Sequence, residues 1–157
     1  MSERSFNIFA DYFQFLVRDA RADWEDLADQ WTPEAVRNMF VQGDGYIGVG
    51  TVRNMHVPLI VRTSEVEPPA DQRDWDRIVH GSLSVPSGEI DITGVTDNGL
   101  SGGQMRLTAG HYHVRALYGD LESISEDGLS GADRYVIELW PASAESPAPT
   151  DPEFVKV

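Results

Sequence analysis

The sequence predicts a mainly β protein, a two-sheet antiparallel β-sandwich of about seven or eight strands with one or two short helices near the N-terminus. Three observations lead there. Beyond Gly43, apolar and polar residues alternate with period two in one short run after another. Turn residues such as Pro86-Ser87-Gly88 separate those runs at intervals suited to a sandwich. Helical spacing of apolar groups is confined to the stretch between Asp19 and Gly43. A chain of 157 residues, 41% hydrophobic and 10% aromatic, is large enough for one buried core and unlike a disordered chain.

The first strand is expected over Ala10 to Arg18, where Phe13, Phe15 and Val17 alternate with Tyr12, Gln14 and Leu16. An acidic segment follows, Asp19 to Gln30, in which Trp24, Leu27 and Trp31 share one side of a short helix. A second helix starts at Thr32 as N-cap, with Pro33 at the first helical position and Glu34 at the positive end of the dipole. Val36, Met39 and Phe40 form its expected inner face and Gly43 its stop. The strands that follow are Gly45 to Arg53, His56 to Thr63, Asp76 to Val85, Glu89 to Val95, Gln104 to Leu107, His111 to Tyr118 and Arg134 to Trp140. Pro68-Pro69-Ala70-Asp71 breaks the pattern as an exposed loop. The domain is therefore expected over residues 1–141, with 142–157, rich in Pro, Ala, Ser and Glu, as a flexible tail.

Charge narrows the function. With 26 acidic against 12 basic residues the chain carries a formal charge of −14, which argues against direct binding of nucleic acid, itself a polyanion. The absence of cysteine removes disulfides, thiolate catalysis and cysteine-ligated metals. No apolar run reaches the roughly 20 residues needed to cross a bilayer, and the N-terminal residues lack the pattern of a signal peptide. A soluble cytoplasmic protein is expected.

Two motifs invite enzymatic readings. Gly99-Leu100-Ser101-Gly102-Gly103 satisfies the nucleophile-elbow expression, but Gln104 to Gly110 is too short and too strand-like to be the helix that chemistry requires. Gly-Leu-Ser recurs at Gly128-Leu129-Ser130, so two similar turns explain both. His111 and His113, two apart on a strand, point to one face and offer two imidazoles to a metal ion. The remaining ligands are missing from the sequence nearby, since the first acid after His113 is Asp120. No cofactor is expected from these patterns.

The acidic residues are grouped. Asp120, Glu122, Glu126, Asp127 and Asp133 fall in one loop with no basic residue among them. Asp19, Asp23, Glu25, Asp26 and Asp29 form a second group, and the acids from Glu65 to Asp76 a third. Clusters of this kind create a negative field that attracts basic partners. Eleven of the twelve basic residues are arginine, which favours paired guanidinium–carboxylate contacts.

Tyr12-Phe13-Gln14-Phe15, Trp31-Thr32-Pro33-Glu34-Ala35, Gly43-Asp44-Gly45-Tyr46-Ile47, Gly110-His111-Tyr112 and Arg134-Tyr135-Val136-Ile137, in that order and spacing, resemble the competence protein J family, small bacterial inhibitors of a DNA-entry nuclease. Leu121 to Pro141 is also similar to a group of uncharacterised bacterial proteins. The resemblance implies a non-enzymatic inhibitor or immunity-type protein that binds a basic nuclease, with no inhibitory residue carried over. Physical chemistry then singles out Asp120, Glu122, Glu126, Asp127 and Asp133 as the partner-binding set. The alternative is a metal- or small-ligand-binding sandwich, or an enzyme, built on His111 and His113, and a carbohydrate-binding sandwich is a third option.

Overall fold

The structure, a computed structural model, describes residues 2–22, 28–96 and 103–157. Strands account for 49% of the described residues and helical turns for 10%, so the class is mainly β. The strands are β1 (Ser2–Phe9), β2 (Gln14–Asp19), β3 (Phe40–Gly43), β4 (Tyr46–Gly50), β5 (His56–Thr63), β6 (Arg77–Val85), β7 (Glu89–Thr93), β8 (Gly103–Arg106), β9 (Gly110–Gly119), β10 (Arg134–Pro141) and β11 (Glu153–Lys156). They form two sheets, in the orders β1-β5-β10-β9-β6-β11 and β3-β4-β2-β7-β8, one of which curls into a half-barrel.

The core follows from alternation. Along β5, Val57, Leu59 and Val61 are fully buried, while His56 before them and Pro58 between them face outward. Their inward side chains meet Phe15, Val17, Ile47 and Ile92 of the other sheet in one apolar cluster. Tyr135 on β10 sits edge-on to both Phe15 and Tyr118, with ring centroids 6.2 and 6.1 Å apart. Pro86-Ser87-Gly88 makes the expected turn between β6 and β7. Gly88 has φ +74°, and its N–H donates to the Val85 carbonyl at 3.2 Å.

The seven strands expected after Gly43 are all present, within a few residues of their expected limits. Several other expectations require correction. Pairing is not antiparallel throughout, because β10 runs parallel to β5, and side-chain alternation carries no information about strand direction. Eleven strands, not seven or eight, occur among the described residues. The strand expected from Ala10 begins at Gln14, because Asp11–Phe13 forms a tight turn in which Tyr12 and Phe13 both take positive φ.

Helix α1 (Pro33–Asn38) is capped as expected, Thr32 Oγ1 accepting from the Ala35 N–H at 3.1 Å. It stops at Met39 in the left-handed conformation, not at Gly43, and Phe40–Gly43 instead pairs with β4. Val36, expected inside, is 59% exposed. The acidic helix expected over Asp19 to Gln30 rests on Trp24 and Leu27, which lie outside the described residues. Asp19 itself closes β2 and is buried, accepting from Ser87 N, Ser87 Oγ and Arg21 N. Within 142–157, the segment assigned to a tail, Glu153–Lys156 pairs with β6 as an edge strand. The Thr150 carbonyl accepts from Gln42 Nε2 at 2.9 Å.

Candidate functional site

The loop between β9 and β10 is braced by its own hydrogen bonds. Ser125 N–H donates to the Ser130 carbonyl at 2.8 Å, and Gly128 N–H to the Ser125 carbonyl at 2.9 Å. Ser125 Oγ and Leu129 N–H both donate to Asp127 Oδ1. Gly128, at φ +74°, supplies the backbone conformation this tip demands. Lower down, Ala132 N–H donates to Ser123 Oγ, which donates to the Asp120 carbonyl. The loop base is joined to the body where Leu121 N–H donates to Asp76 Oδ2. A loop tied this closely to itself holds its backbone and Asp127 in place, which reduces the ordering cost of association.

The five candidate carboxylates separate on inspection of their surroundings. Glu122 and Glu126 are exposed and, among the described residues, form no ion pair. Asp127 is exposed, and hydrogen bonds from Ser125 and the Leu129 backbone hold its carboxyl below the usual range, so it stays ionised. Asp120, at φ +53°, pairs with Arg134 Nε at 2.7 Å, which offsets part of its charge. Asp133 is different in kind. It is 1% exposed, pairs with Arg53 Nε at 2.7 Å, and accepts from Tyr135 Oη at 2.7 Å. Tyr135 Oη accepts in turn from the Val52 N–H. Asp133 therefore anchors the loop to the core and offers no charge to a partner.

The histidine pair named by the sequence is not the pair that forms. His111 is exposed at the start of β9, whereas His113 is buried and stacks on Trp140 at 5.1 Å and on His80 at 5.3 Å. His113 Nε2 lies 2.9 Å from the Ser146 carbonyl, which can only accept, so Nε2 carries the proton and Nδ1 is free to accept. His80 Nε2, 3.1 Å from that Nδ1, is then the donor. Among the described residues, no group of three His, Cys, Asp or Glu side chains is arranged to hold a metal ion. Open clefts of about 390, 690 and 500 Å³ occur elsewhere on the surface, and none has a histidine in its described lining.

On the same outer face, the register places Glu3, Arg62, Glu138, Arg115, His80 and Glu153 in one row across all six strands. The row alternates in sign from Glu3 to Arg115 and ends on His80 and Glu153. Arg62 meets Glu3 at 2.8 Å, Arg115 meets Glu138 at 2.7 Å, and Glu153 lies 3.6 Å from His80 Nδ1. Arg115 also lies over the Trp140 ring. On this face the Glu3, Arg62, Glu138 and Arg115 charges compensate one another. Cross-strand pairing signals such rows, but only once the register is known.

Burial lowers the His80 pKa, and the neighbouring His113 lowers it further. Glu153 and Glu67 oppose this shift, whereas Arg115 adds to it. The unfolded chain therefore binds this proton more readily than the folded one. Stability is full above pH 6.5 and falls as the pH drops through that value. Thermal unfolding followed on both sides of pH 6.5 should show a steeper acid-side loss of Tm in the wild type than in His80→Gln. Parallel curves would contradict this reading of the histidine pair.

No protein-family model matches the sequence, and no curated protein matches it. Two solved structures are similar in fold. ComJ of Bacillus subtilis, described as inhibitor of the DNA degrading activity of NucA, superposes with TM-score 0.65 and 19% identity over 90% of this chain and 96% of that one. The protein of crocagin biosynthetic gene J superposes with TM-score 0.56 and 17% identity, covering 91% of this chain and 100% of that one. The fold is thus ComJ-like, as the sequence resemblance implied.

Proposed function

We propose that this protein is a non-enzymatic inhibitor of a basic nuclease, acting in the cytoplasm without a cofactor, and that its acidic β9–β10 loop occupies the cleft in which the nuclease holds DNA. The observation that carries the proposal is the pre-organised loop with Glu122, Glu126 and Asp127 turned outward, mounted on a fold shared with a nuclease inhibitor. A nuclease presents cationic side chains to phosphate, and carboxylates carried on a braced loop can take the place of phosphates on that surface. The formal charge of −14 adds long-range steering toward such a groove and disfavours binding to DNA itself.

The test is affinity capture from native cells, followed by assay of any captured nuclease. DNA degradation should stop at one equivalent of this protein. Recovery of no nuclease, or a captured nuclease that stays active at saturation, overturns the proposal. Because steering is screened by salt, the association rate should fall by at least about tenfold between low and high ionic strength while the dissociation rate changes little. A salt-independent association rate measured by stopped flow would remove electrostatics from the account.

A further inference from the structure

We infer that the aromatic turn Tyr12-Phe13 is a second contact element beside the acidic loop, anchoring this protein to an arginine- and lysine-rich protein surface. The inference rests on the proposed binding of a basic nuclease and names a part of the interface that the acidic loop does not supply. Tyr12 and Phe13 take φ +57° and +59°, in the left-handed region that bulky residues avoid. Folding would be expected to repay that strain by burying the rings, yet they are 69% and 53% exposed.

The turn is held from several sides. The buried Asp11 carboxylate accepts from Val95 N at 2.9 Å, from Thr96 N at 3.1 Å and from Thr96 Oγ1. Tyr12 N–H donates to Asn54 Oδ1 at 2.9 Å, and the Phe13 carbonyl accepts from Thr51 N–H at 2.9 Å. Next to it Phe9 stacks on His56 with ring centroids 5.0 Å apart. A rigid turn that displays two large rings has the character of a binding anchor, since little ordering remains to be done on association.

The turn and the acidic loop are mounted on one segment, residues 51–56. Thr51 and Asn54 hold the turn, while Arg53 between them donates to the Leu129 carbonyl and pairs with Asp133 at the loop base. Leu129, at the loop tip, is 56% exposed. Aromatic faces beside carboxylates suit one chemistry twice over, because a guanidinium or ammonium group is attracted both to the ring face and to the anion. A second copy of this chain carries the same −14 charge and is repelled, as is an anionic membrane.

The test replaces both rings without adding strain. In Tyr12→Gly/Phe13→Gly, glycine adopts the positive φ freely, so Tm should hold or rise, while affinity for the captured nuclease should fall by at least about thirtyfold. Tyr12→Asn/Phe13→Asn, whose residues also tolerate this conformation, serves as the second variant should the glycines loosen the turn. Unchanged affinity in a folded variant overturns the inference and leaves the nuclease reading standing. A wild type that binds no nuclease overturns both. A wild-type dimer that the same substitutions dissociate, with nuclease affinity intact, overturns it in favour of a second copy.

Discussion

Asp133→Asn is expected to lower the stability of the fold by about 3–5 kcal/mol, the usual cost of leaving one member of a buried ion pair unpaired. The carboxylate is 1% exposed and takes two bonds at 2.7 Å, from Arg53 and from Tyr135 Oη. Asparagine preserves the shape and removes the charge, so the Arg53 guanidinium, with its side chain only 10% exposed, is left without its anion. In a chain of this size the loss corresponds to a fall in Tm on the order of 10 °C. Arg53→Met/Asp133→Leu removes both charges and should recover much of the loss, because a buried pair replaced by apolar groups often leaves stability nearly unchanged. Denaturant unfolding of the two variants checks the pair. A wild-type midpoint for Asp133→Asn would mean that the loop is not fastened through this contact. Asp133 must accordingly be left intact whenever the acidic loop is tested for binding, since its loss would weaken binding by disordering the loop.

Neutralising the exposed acids is expected to separate binding from stability. Glu122→Gln/Glu126→Gln/Asp127→Asn should weaken affinity for the captured nuclease by at least about thirtyfold, about 2 kcal/mol, with most of the change in the association rate. Tm should stay close to the wild-type value. Glu122 and Glu126 support no described contact, and asparagine at 127 retains the oxygen that accepts from Ser125 Oγ and Leu129 N–H. Calorimetric titration together with a melting curve decides the matter. Unaltered affinity would remove this loop from the interface, while a large drop in Tm would show that the tip acids hold the fold.

In β5, where one face is buried and the other is not, the sequence was readable to the residue. His56 to Thr63 alternates between a fully buried inner set and outer residues, and the observed strand has those same limits. The two edge strands nearest the termini, β1 and β11, were not readable. In Ser2–Phe9 only Phe6 and Ile8 turn toward the core, too short an alternation to stand out, and in Glu153–Lys156 no residue is buried. Phe40–Gly43 was absorbed into the preceding helix because Val36, Met39 and Phe40 have helical spacing. Pairing with β4 overrides that local signal.

The candidate site was legible as composition and not as geometry. Charge alone grouped Asp133 with Asp120, Glu122, Glu126 and Asp127, yet Asp133 shares the parity of the inward Tyr135, Ile137 and Leu139. That parity was present in the sequence and marks it as a buried side chain. His113 could be recognised as a strand residue. Its partner His80 lies on β6, brought alongside by the register Ser82↔His113 and stacked with Trp140, and no local pattern encodes that pairing. The aromatic turn was hidden by its own alternation, which continued the strand pattern through residues whose backbone has left the strand.

Competition with DNA tests the claim that the acidic loop enters the nuclease's phosphate-binding cleft. Inhibition by the intact protein should be competitive, with the apparent inhibition constant rising linearly with DNA concentration. Inhibition insensitive to DNA concentration would place the protein elsewhere on the nuclease and contradict the account.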